Sequence, residues 1–326
     1  MKVFYSTRYR FFNDHTKKTL NFFLISDVHF SYKVTNRLLQ SIAAEAKRQQ
    51  PNYICITGDL VDSQDMVASH MERQRLFAWL EQLGTIAPVL ISLGNHDFYQ
   101  KMANFKTNLS RQRHWRAVAD EIYFEQINAL PNVHLLNNSV YEDRYVYILG
   151  FTQSPEYFQL DRDEEHSSTV IHPGGEDKAR MLHDLNQLPE KQLHDLPFHK
   201  VKIALIHSPV YLHDPEITAY FDEFDFYISG HMHNGCVPPI LNELWVSDRG
   251  FVAPGKALFP KGTRGRIKSN IKKLILLGAV TTVQECAKPV GFLNKLYPVS
   301  IANLEVNKNP VYKRKPDIYS KYVSIN

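Results

Sequence analysis

The front half of the chain alternates short apolar runs with segments of helical periodicity, and this alternation constrains the fold more than any other feature. The runs at residues 21–27, 53–59 and 88–95 are rich in apolar and β-branched residues and predict strands. Between them, apolar residues recur at helical spacing over 38–46 and 66–83. Strands that alternate with helices in this way are typical of βαβ units, so we expect these strands to be buried.

The same reading predicts further elements along the rest of the chain. The predicted helices are 108–130 and 178–188, and the predicted strands are 133–138, 140–152, 202–208, 224–230 and 299–306. We expect the strands at 133–138 and 140–152 to be antiparallel neighbours, and residues 161–175 to form a polar loop. Gly and Pro are frequent from residue 238 onward, so few elements can be assigned there.

Composition and length favour one folded domain. Hydrophobic residues make up 44% of the 326 residues and charged residues 22%, which excludes a disordered, collagenous or coiled-coil chain. No linker-like stretch or internal repeat divides the sequence. We therefore expect a single domain over 1–326, with a motif core at 21–235 and a basic, Gly/Pro-rich C-terminal elaboration at 236–326.

Polar residues with metal-binding chemistry follow five of the predicted strands. Because ligands bind beyond the carboxyl ends of strands in open α/β sheets, we expect these residues to meet at one site. Each of them alone has an ordinary explanation, such as a helix N-cap or a turn residue. That explanation fails for the set, since every member lies at a strand end. The five clusters are Asp27-Val28-His29, Gly58-Asp59-Leu60-Val61-Asp62, Gly94-Asn95-His96-Asp97, His207-Ser208 and Gly230-His231-Met232-His233.

The ligand types and their number indicate two metal ions. Carboxylate and imidazole ligands without thiolate suit Mn, Fe or Zn, and Mn is the ion we favour. About four such groups saturate one ion, so seven candidates predict a pair of ions. Two divalent ions roughly 3.5–4 Å apart are a standard device for the hydrolysis of phosphate esters. A carboxylate would bridge them, because its two oxygens can face two cations.

In order and in type, the five clusters resemble the motifs of the calcineurin-like metallophosphoesterases. The resemblance extends from Asp27 to His233. It implies a four-layer α/β sandwich in which two mixed β-sheets are flanked by helices. It also implies hydrolysis of a phosphate monoester, a diester or a pyrophosphate bond, with a hydroxide shared by the two ions as the nucleophile.

The resemblance also implies a role for each residue. His96 would lie near the phosphoryl group and stabilise charge or protonate the leaving oxygen, Asp97 would orient His96, and Asp62 is a further candidate beside the ligands. The first ion would be held by Asp27, His29, Asp59 and His233, and the second by Asp59, Asn95, His207 and His231, with Asp59 as the bridge.

The fifth cluster departs from the family pattern. The family often continues as Gly-His-Thr-His-Gly-Gly, whereas here Met232 and Asn234 replace the Thr and the first Gly. The two histidines of the cluster are retained, so the departure concerns substrate contacts and the turn near Asn234. Cys236 follows closely, and we interpret it as a packing residue because free Cys behaves mostly as a small buried hydrophobe.

Residues 249–284 contain eight basic residues and no acidic residue, although the net charge of the whole chain is only +4. A solvated surface loop explains such a run, and so does a cationic cap that attracts a phosphate-bearing substrate. A third interpretation uses the interleaved apolar residues to lie on anionic lipid. The overall charge is too small to indicate a nucleic-acid partner. We expect a phosphorylated small-molecule or lipid-linked substrate.

The expected compartment follows from what the sequence lacks. Three cysteines without a Cys-x-x-Cys pair indicate reduced thiols in the cytoplasm. No signal-peptide core and no apolar run of about 18 residues is found, so we expect a cytoplasmic protein, with peripheral membrane contact left open.

Three alternative functions stay open from the sequence. One is a pyrophosphatase of lipid-linked substrates at the membrane surface, of the type that cleaves UDP-diacylglucosamine. Another is a nuclease of the same superfamily, and the third is a non-catalytic metal-binding scaffold. The third is disfavoured because none of the expected ligands is missing.

Overall fold

The computed structural model describes most of the chain and gives two large sheets. The described residues are 2–13, 16, 18–101, 115–117, 121–158, 176–212, 214–231, 265–266, 274–281, 299–308 and 317–325. The helices within them are α1 (Asn36–Gln49), α2 (Asp65–Ala68), α3 (His70–Gly84), α4 (Glu121–Asn128), α5 (Lys178–Asn186) and α6 (Pro215–Thr218). Their strands are β1 (Lys2–Asn13), β2 (Leu20–Ser26), β3 (Tyr53–Thr57), β4 (Val89–Ser92), β5 (Tyr99–Lys101), β6 (Trp115–Ala117), β7 (Val133–Leu135), β8 (Ser139–Glu142), β9 (Val146–Phe151), β10 (Val201–Ile206), β11 (Phe226–Ser229), β12 (Gly265–Arg266), β13 (Leu274–Leu276), β14 (Val299–Lys308) and β15 (Asp317–Ile325).

The first sheet has seven strands in the order β15-β1-β14-β2-β3-β4-β7. Strands β2, β3, β4 and β7 run parallel to one another, as the βαβ pattern predicts. Strand β14 is antiparallel to β2, β1 is parallel to β14, and β15 is antiparallel to β1. The sheet is therefore mixed, and strands from both ends of the described chain extend it beyond β2.

The second sheet has six strands in the order β12-β13-β11-β10-β9-β8. Strands β9, β10, β11 and β13 are parallel, while β8 and β12 lie antiparallel to their neighbours. A separate two-stranded ribbon is formed by β5 and β6. Since β12, β13, β14 and β15 all pair within the two large sheets, residues after the motif core contribute to the same sheets as the motifs themselves.

Alternation along each central strand divides the apolar side chains among three clusters. On β2, Phe22 and Leu24 face the second sheet, whereas Phe23 and Ile25 face α1 and α3. On β10, Leu205 lies between the sheets and Ile206 packs toward α5 and α6. Strands with both faces buried need apolar residues at every position, which explains the continuous apolar runs in the sequence. The layers are helix, sheet, sheet and helix, the predicted sandwich.

Local signals explain where the first helix begins and ends. Thr35 Oγ1 accepts a hydrogen bond from the Leu38 N–H over 3.2 Å, an N-cap that satisfies one of the free amides of α1. Gln50 adopts a left-handed conformation (φ 48°), and its N–H returns to the carbonyl oxygen of Ala46. The buried face between these caps includes Leu39 and Ile42, which pack under the first sheet.

Three predictions about these elements differ from the structure. The helix predicted over 66–83 is divided at Ser69, where the backbone is extended (ψ 124°), into α2 and α3. Among the described residues of the helix predicted over 108–130, Glu121–Asn128 are helical and Trp115–Ala117 form a strand. The strands predicted at 133–138 and 140–152 are not neighbours: β7 pairs with β4 in the first sheet, and β8 and β9 form a hairpin in the second. Period-2 alternation identifies a strand but not the sheet that it joins.

None of the helices in the described residues is both long enough and apolar enough to cross a membrane. The predicted loop at 161–175 and most of the basic segment at 249–284 lie outside the described residues.

Candidate metal centre

Five strand ends converge at one edge of the sandwich and carry the predicted ligands. In the first sheet, Asp27 follows β2, Asp59 follows β3, and Asn95 begins a 3-10 turn after β4. In the second sheet, His207 follows β10 and His231 lies two residues beyond β11. Backbone hydrogen bonds continue the pairing into these loops, for example from the Gly58 N–H to the Ser92 carbonyl oxygen (3.1 Å). These bonds extend the pairing of the strands into the loops that carry the candidate ligands.

Asp59 lies at the centre of the cluster, between a histidine of each sheet. Its Oδ2 atom is 3.2 Å from His207 Nε2 and 3.5 Å from His29 Nε2, and its Oδ1 atom accepts a hydrogen bond from the His96 N–H over 2.8 Å. Only 1% of Asp59 is exposed. Burial opposes its ionisation, but the positive charge of His207, then of His96 and of His29, holds the pKa of Asp59 well below its usual range. Asp59 is thus an anion enclosed by groups that ligate cations.

His207 is fully buried and oriented by the backbone. Its Nδ1 atom lies 3.1 Å from the Thr57 carbonyl oxygen, so Nδ1 carries the proton of that hydrogen bond and Nε2 faces Asp59. Burial lowers the pKa of His207, but the Asp59 carboxylate outweighs this and raises it to about 9. Gly58, at φ +69°, packs against the ring so closely that a Cβ atom would overlap it. This explains the glycine of the second cluster.

Asp27 connects the two sheets. Its Oδ2 atom accepts a hydrogen bond from Ser26 Oγ (2.6 Å), and its carboxylate also accepts from the His231 N–H at 3.1 and 3.2 Å. A Cβ atom on Gly230 would overlap Ser26 Oγ, so the close approach of these two loops requires glycine at residue 230. The Thr281 N–H donates to the Asp27 carbonyl oxygen over 3.1 Å, which ties the segment after β13 to the same loop.

Four of the ligand candidates have left-handed backbone conformations that are uncommon outside glycine. The φ angles are 52° at Asp27, 43° at His29, 50° at Asp59 and 66° at His231. Such conformations cost about 1–3 kcal/mol each and are found where the surrounding structure imposes them, often at functional sites. Here the imposed conformation turns each side chain toward the shared cluster, at the end of its strand.

The 3-10 turn at Asn95–Phe98 holds the third cluster. His96 Nδ1 is 2.8 Å from the Asp62 carbonyl oxygen, so the backbone of the second cluster orients the ring. Asp97 instead accepts two backbone N–H groups, from Gly94 (2.8 Å) and Val61 (3.1 Å). Burial, and then the charge of Asp59, raises the pKa of Asp97 to about 7. Asp97 therefore braces the turn.

Two further carboxylates border the cluster. Asp62, which the sequence places beside the ligands, lies 3.9 Å from His29 Nδ1 through its Oδ1 atom. Glu176 was not predicted: its Oε1 atom is 3.1 Å from His231 Nε2, and its side chain is 3% exposed. Glu176 is separated from His231 by 55 positions, and no spacing or motif in the sequence connects them.

The arrangement fits a pair of cations. Asp27, His29 and Asp59 form one group whose ligand atoms all lie within 4.8 Å of one another, and Asp59, His207 and His231 form another. Within the part of the chain that the structure describes, the buried Asp59 Oδ2 and His207 Nε2 atoms have no well-aligned hydrogen-bond partner. Buried polar atoms that lack such partners are costly unless an ion satisfies them.

The remaining predicted residues are placed in part. Asn95 is buried at the start of its turn, next to His96, whose N–H donates to Asp59. His233 lies outside the described residues, as do Met232, Asn234 and Cys236. The structure thus brings five of the seven predicted ligands into the two ligand groups, namely Asp27, His29, Asp59, His207 and His231.

The chain is similar in sequence to one curated relative and in structure to several solved proteins. The chain is 23% identical over 227 residues to an uncharacterized metallophosphoesterase of Campylobacter jejuni, a match that covers 69% of this chain and 47% of the relative. The matched region thus spans about half the length of that relative. Similar solved structures include a dimetal phosphatase from Danio rerio (13% identity, TM-score 0.43, 81% of this chain and 88% of the other). Another is the protein TT1561 of Thermus thermophilus (14% identity, TM-score 0.39, 65% and 81%).

A family model also matches the part of the chain that carries the ligand cluster. The model of the calcineurin-like phosphoesterase family matches residues 20–235, which is more than half of the chain and includes all five predicted clusters. With the sandwich and the convergent ligands, this match shows that the chain belongs to the calcineurin-like phosphoesterase family.

Proposed function

We propose that this protein is a dinuclear metal-dependent hydrolase of a phosphate monoester, a diester or a pyrophosphate bond. The observation that carries the proposal is the shared position of Asp59. It belongs both to the group with Asp27 and His29 and to the group with His207 and His231. A carboxylate common to two ligand groups is what a pair of cations at short separation requires.

The two groups divide the ligands between the ions. Asp27, His29 and Asp59 would hold the first ion together with His233, and Asp59, His207 and His231 would hold the second together with Asn95. Carboxylate and imidazole ligands without thiolate suit Mn, Fe or Zn, and Mn is the ion that we favour. When bound, two such ions polarise the phosphoryl group and lower the pKa of the attacking water.

The residues of the chain perform the rest of the chemistry. The Asp62 carbonyl oxygen accepts from Nδ1–H of His96, so in the imidazolium form the remaining proton, on Nε2, would be the one donated to the leaving oxygen. Asp97 holds the turn that presents His96, by accepting the N–H groups of Gly94 and Val61. His207 keeps its Nε2 atom toward Asp59 because the Thr57 carbonyl oxygen holds Nδ1.

A substrate screen and a metal count test the proposal together. The manganese-loaded protein is assayed with nitrophenyl phosphate, a nitrophenyl phosphodiester and pyrophosphate, and bound metal is measured by elemental analysis. We expect two equivalents of metal and turnover of at least one substrate class. Asp59→Ala and His231→Ala should abolish turnover and lower the metal content.

Glu142→Ala serves as the matched control for these variants. Glu142 is a half-exposed carboxylate on β8 that pairs with Lys200 over 2.6 Å, away from the ligand cluster. It should leave both turnover and metal content unchanged. Near-normal turnover by metal-loaded Asp59→Ala would refute the assignment.

A further inference from the structure

Glu176 contacts the candidate metal centre from outside the family motifs. Its Oε1 atom lies 3.1 Å from Nε2 of His231, and its side chain is almost completely buried. His231 is a member of the second ligand group, with Asp59 and His207. A buried carboxylate beside a ligand imidazole is the arrangement that fixes the tautomer and raises the basicity of metal-bound histidines.

Contacts with both neighbouring segments hold Glu176 in place. Its carbonyl oxygen accepts a hydrogen bond from Tyr211 Oη over 2.9 Å, and the N–H of the next residue, Asp177, donates to the Tyr157 carbonyl oxygen over 3.1 Å. Asp177 also caps α5, since its side chain accepts from the N–H groups of the first helical turn. The start of α5 therefore holds the backbone of Glu176 in place.

Phe158 confines the imidazole from another side. Its ring centroid lies 5.5 Å from that of His231 and 6.5 Å from that of His207. The ring of His231 is thus bordered by an aromatic ring and by a carboxylate. With Nε2 directed at Glu176, the nitrogen left to face a cation is Nδ1.

We propose that Glu176 is a positioning residue for the second ion, which holds His231 as the Nε2–H tautomer so that Nδ1 binds the metal. This inference rests on the proposed dinuclear function. It assigns to this chain a carboxylate–histidine–metal triad whose carboxylate, Glu176, lies outside the five motif clusters. Removal of such a partner lowers metal affinity about 10- to 100-fold.

The first test is a calorimetric titration of the metal-free protein with Mn²⁺. Wild type should bind two equivalents, and failure to do so would count against the proposed function and not against Glu176. In Glu176→Ala we expect one of the two sites to weaken about 10- to 100-fold while the other is unchanged. Glu176→Gln retains an oxygen that accepts from Nε2–H, so it should recover most of that loss.

Controls separate positioning from other roles. Glu142→Ala removes a half-exposed carboxylate from β8 and should bind both ions as wild type does. Circular dichroism and urea unfolding verify that each variant is folded before titration. Two unchanged sites in folded Glu176→Ala would overturn the inference. An equal loss in the Ala and Gln variants would also overturn it, because the carboxylate would then bind the ion directly.

The tautomer itself gives a second readout that does not depend on turnover. Long-range ¹H–¹⁵N correlation spectra of the zinc-loaded protein with ¹⁵N-labelled histidine report which ring nitrogen carries the proton. The His231 signals are identified by their absence from His231→Asn. We expect a protonated Nε2 in wild type and a changed Nε2 shift in Glu176→Ala. A protonated Nδ1 in wild type would contradict the proposal.

Discussion

The removal of the Asp97 carboxylate should destabilise the protein through the backbone of the third motif. Both carboxylate oxygens accept buried N–H groups, from Gly94 at 2.8 Å and from Val61 at 3.1 Å. Asp97→Ala leaves both donors without an acceptor, and each unsatisfied buried group costs about 1–3 kcal/mol. The free energy of unfolding should therefore fall by about 2–6 kcal/mol, a large part of the roughly 5–15 kcal/mol of a typical domain.

The measurement is urea unfolding of the metal-free protein, followed by circular dichroism and tryptophan fluorescence. Asp97→Asn keeps one acceptor oxygen and should recover about half of the loss. His96→Ala is the matched comparison, since we expect it to lower turnover without a loss of this size in stability. If Asp97→Ala lost turnover but less than about 1 kcal/mol of stability, the bracing role would be refuted and orientation of His96 would be the better account.

Three further predictions follow from the same structure. Gly58→Ala places a Cβ atom against the His207 ring at a left-handed φ of 69°, so titration with Mn²⁺ should show a weakened second site; two unchanged sites would contradict this. Leu205→Ala opens a cavity between the two sheets and should lower the free energy of urea unfolding by about 2–5 kcal/mol, and a loss below about 1 kcal/mol would show that the inter-sheet core repacks. Burial lowers the pKa of His134, so the unfolded chain takes up this proton at a higher pH than the folded protein does, and stability should fall as the pH drops through the ordinary histidine range. His134→Phe keeps the ring against Tyr141 and should reduce that fall in urea titrations between pH 7 and 5, and an unchanged pH dependence would rule out this contribution.

The ligand cluster could be predicted because its residues follow strands with strong local signals. An apolar run such as Leu20–Ser26 ends where the polar residue begins, so Asp27 is placed at a strand end by its own neighbours. The carboxyl ends of parallel strands meet at the same sheet edge, which brings Asp59 to Asp27. The positions of these candidate ligands could therefore be predicted from short stretches of the sequence.

Other features depend on contacts that no local pattern encodes. Glu176 contacts His231 across 55 positions. Its neighbours in the sequence indicate only a loop and a helix cap. The sheet to which β7 belongs depends on its long-range pairing with β4, and the alternation of side chains is the same in either sheet. The orientation of His96 by the Asp62 carbonyl oxygen is likewise invisible in sequence, because any residue type supplies that oxygen.

The short stretch after β13 has a consequence for how the protein is made. Leu277 donates its N–H to the Ser229 carbonyl oxygen, Val280 to that of Ser26 and Thr281 to that of Asp27, so this stretch joins the two sheets beside the ligands. During synthesis, the ribosome must add roughly 50 more residues after His231 before these hydrogen bonds can form. This takes about 3–10 s at ordinary rates. Until then the candidate ligands on the two sheets, such as Asp27 and His231, contact one another without the backbone hydrogen bonds of this stretch.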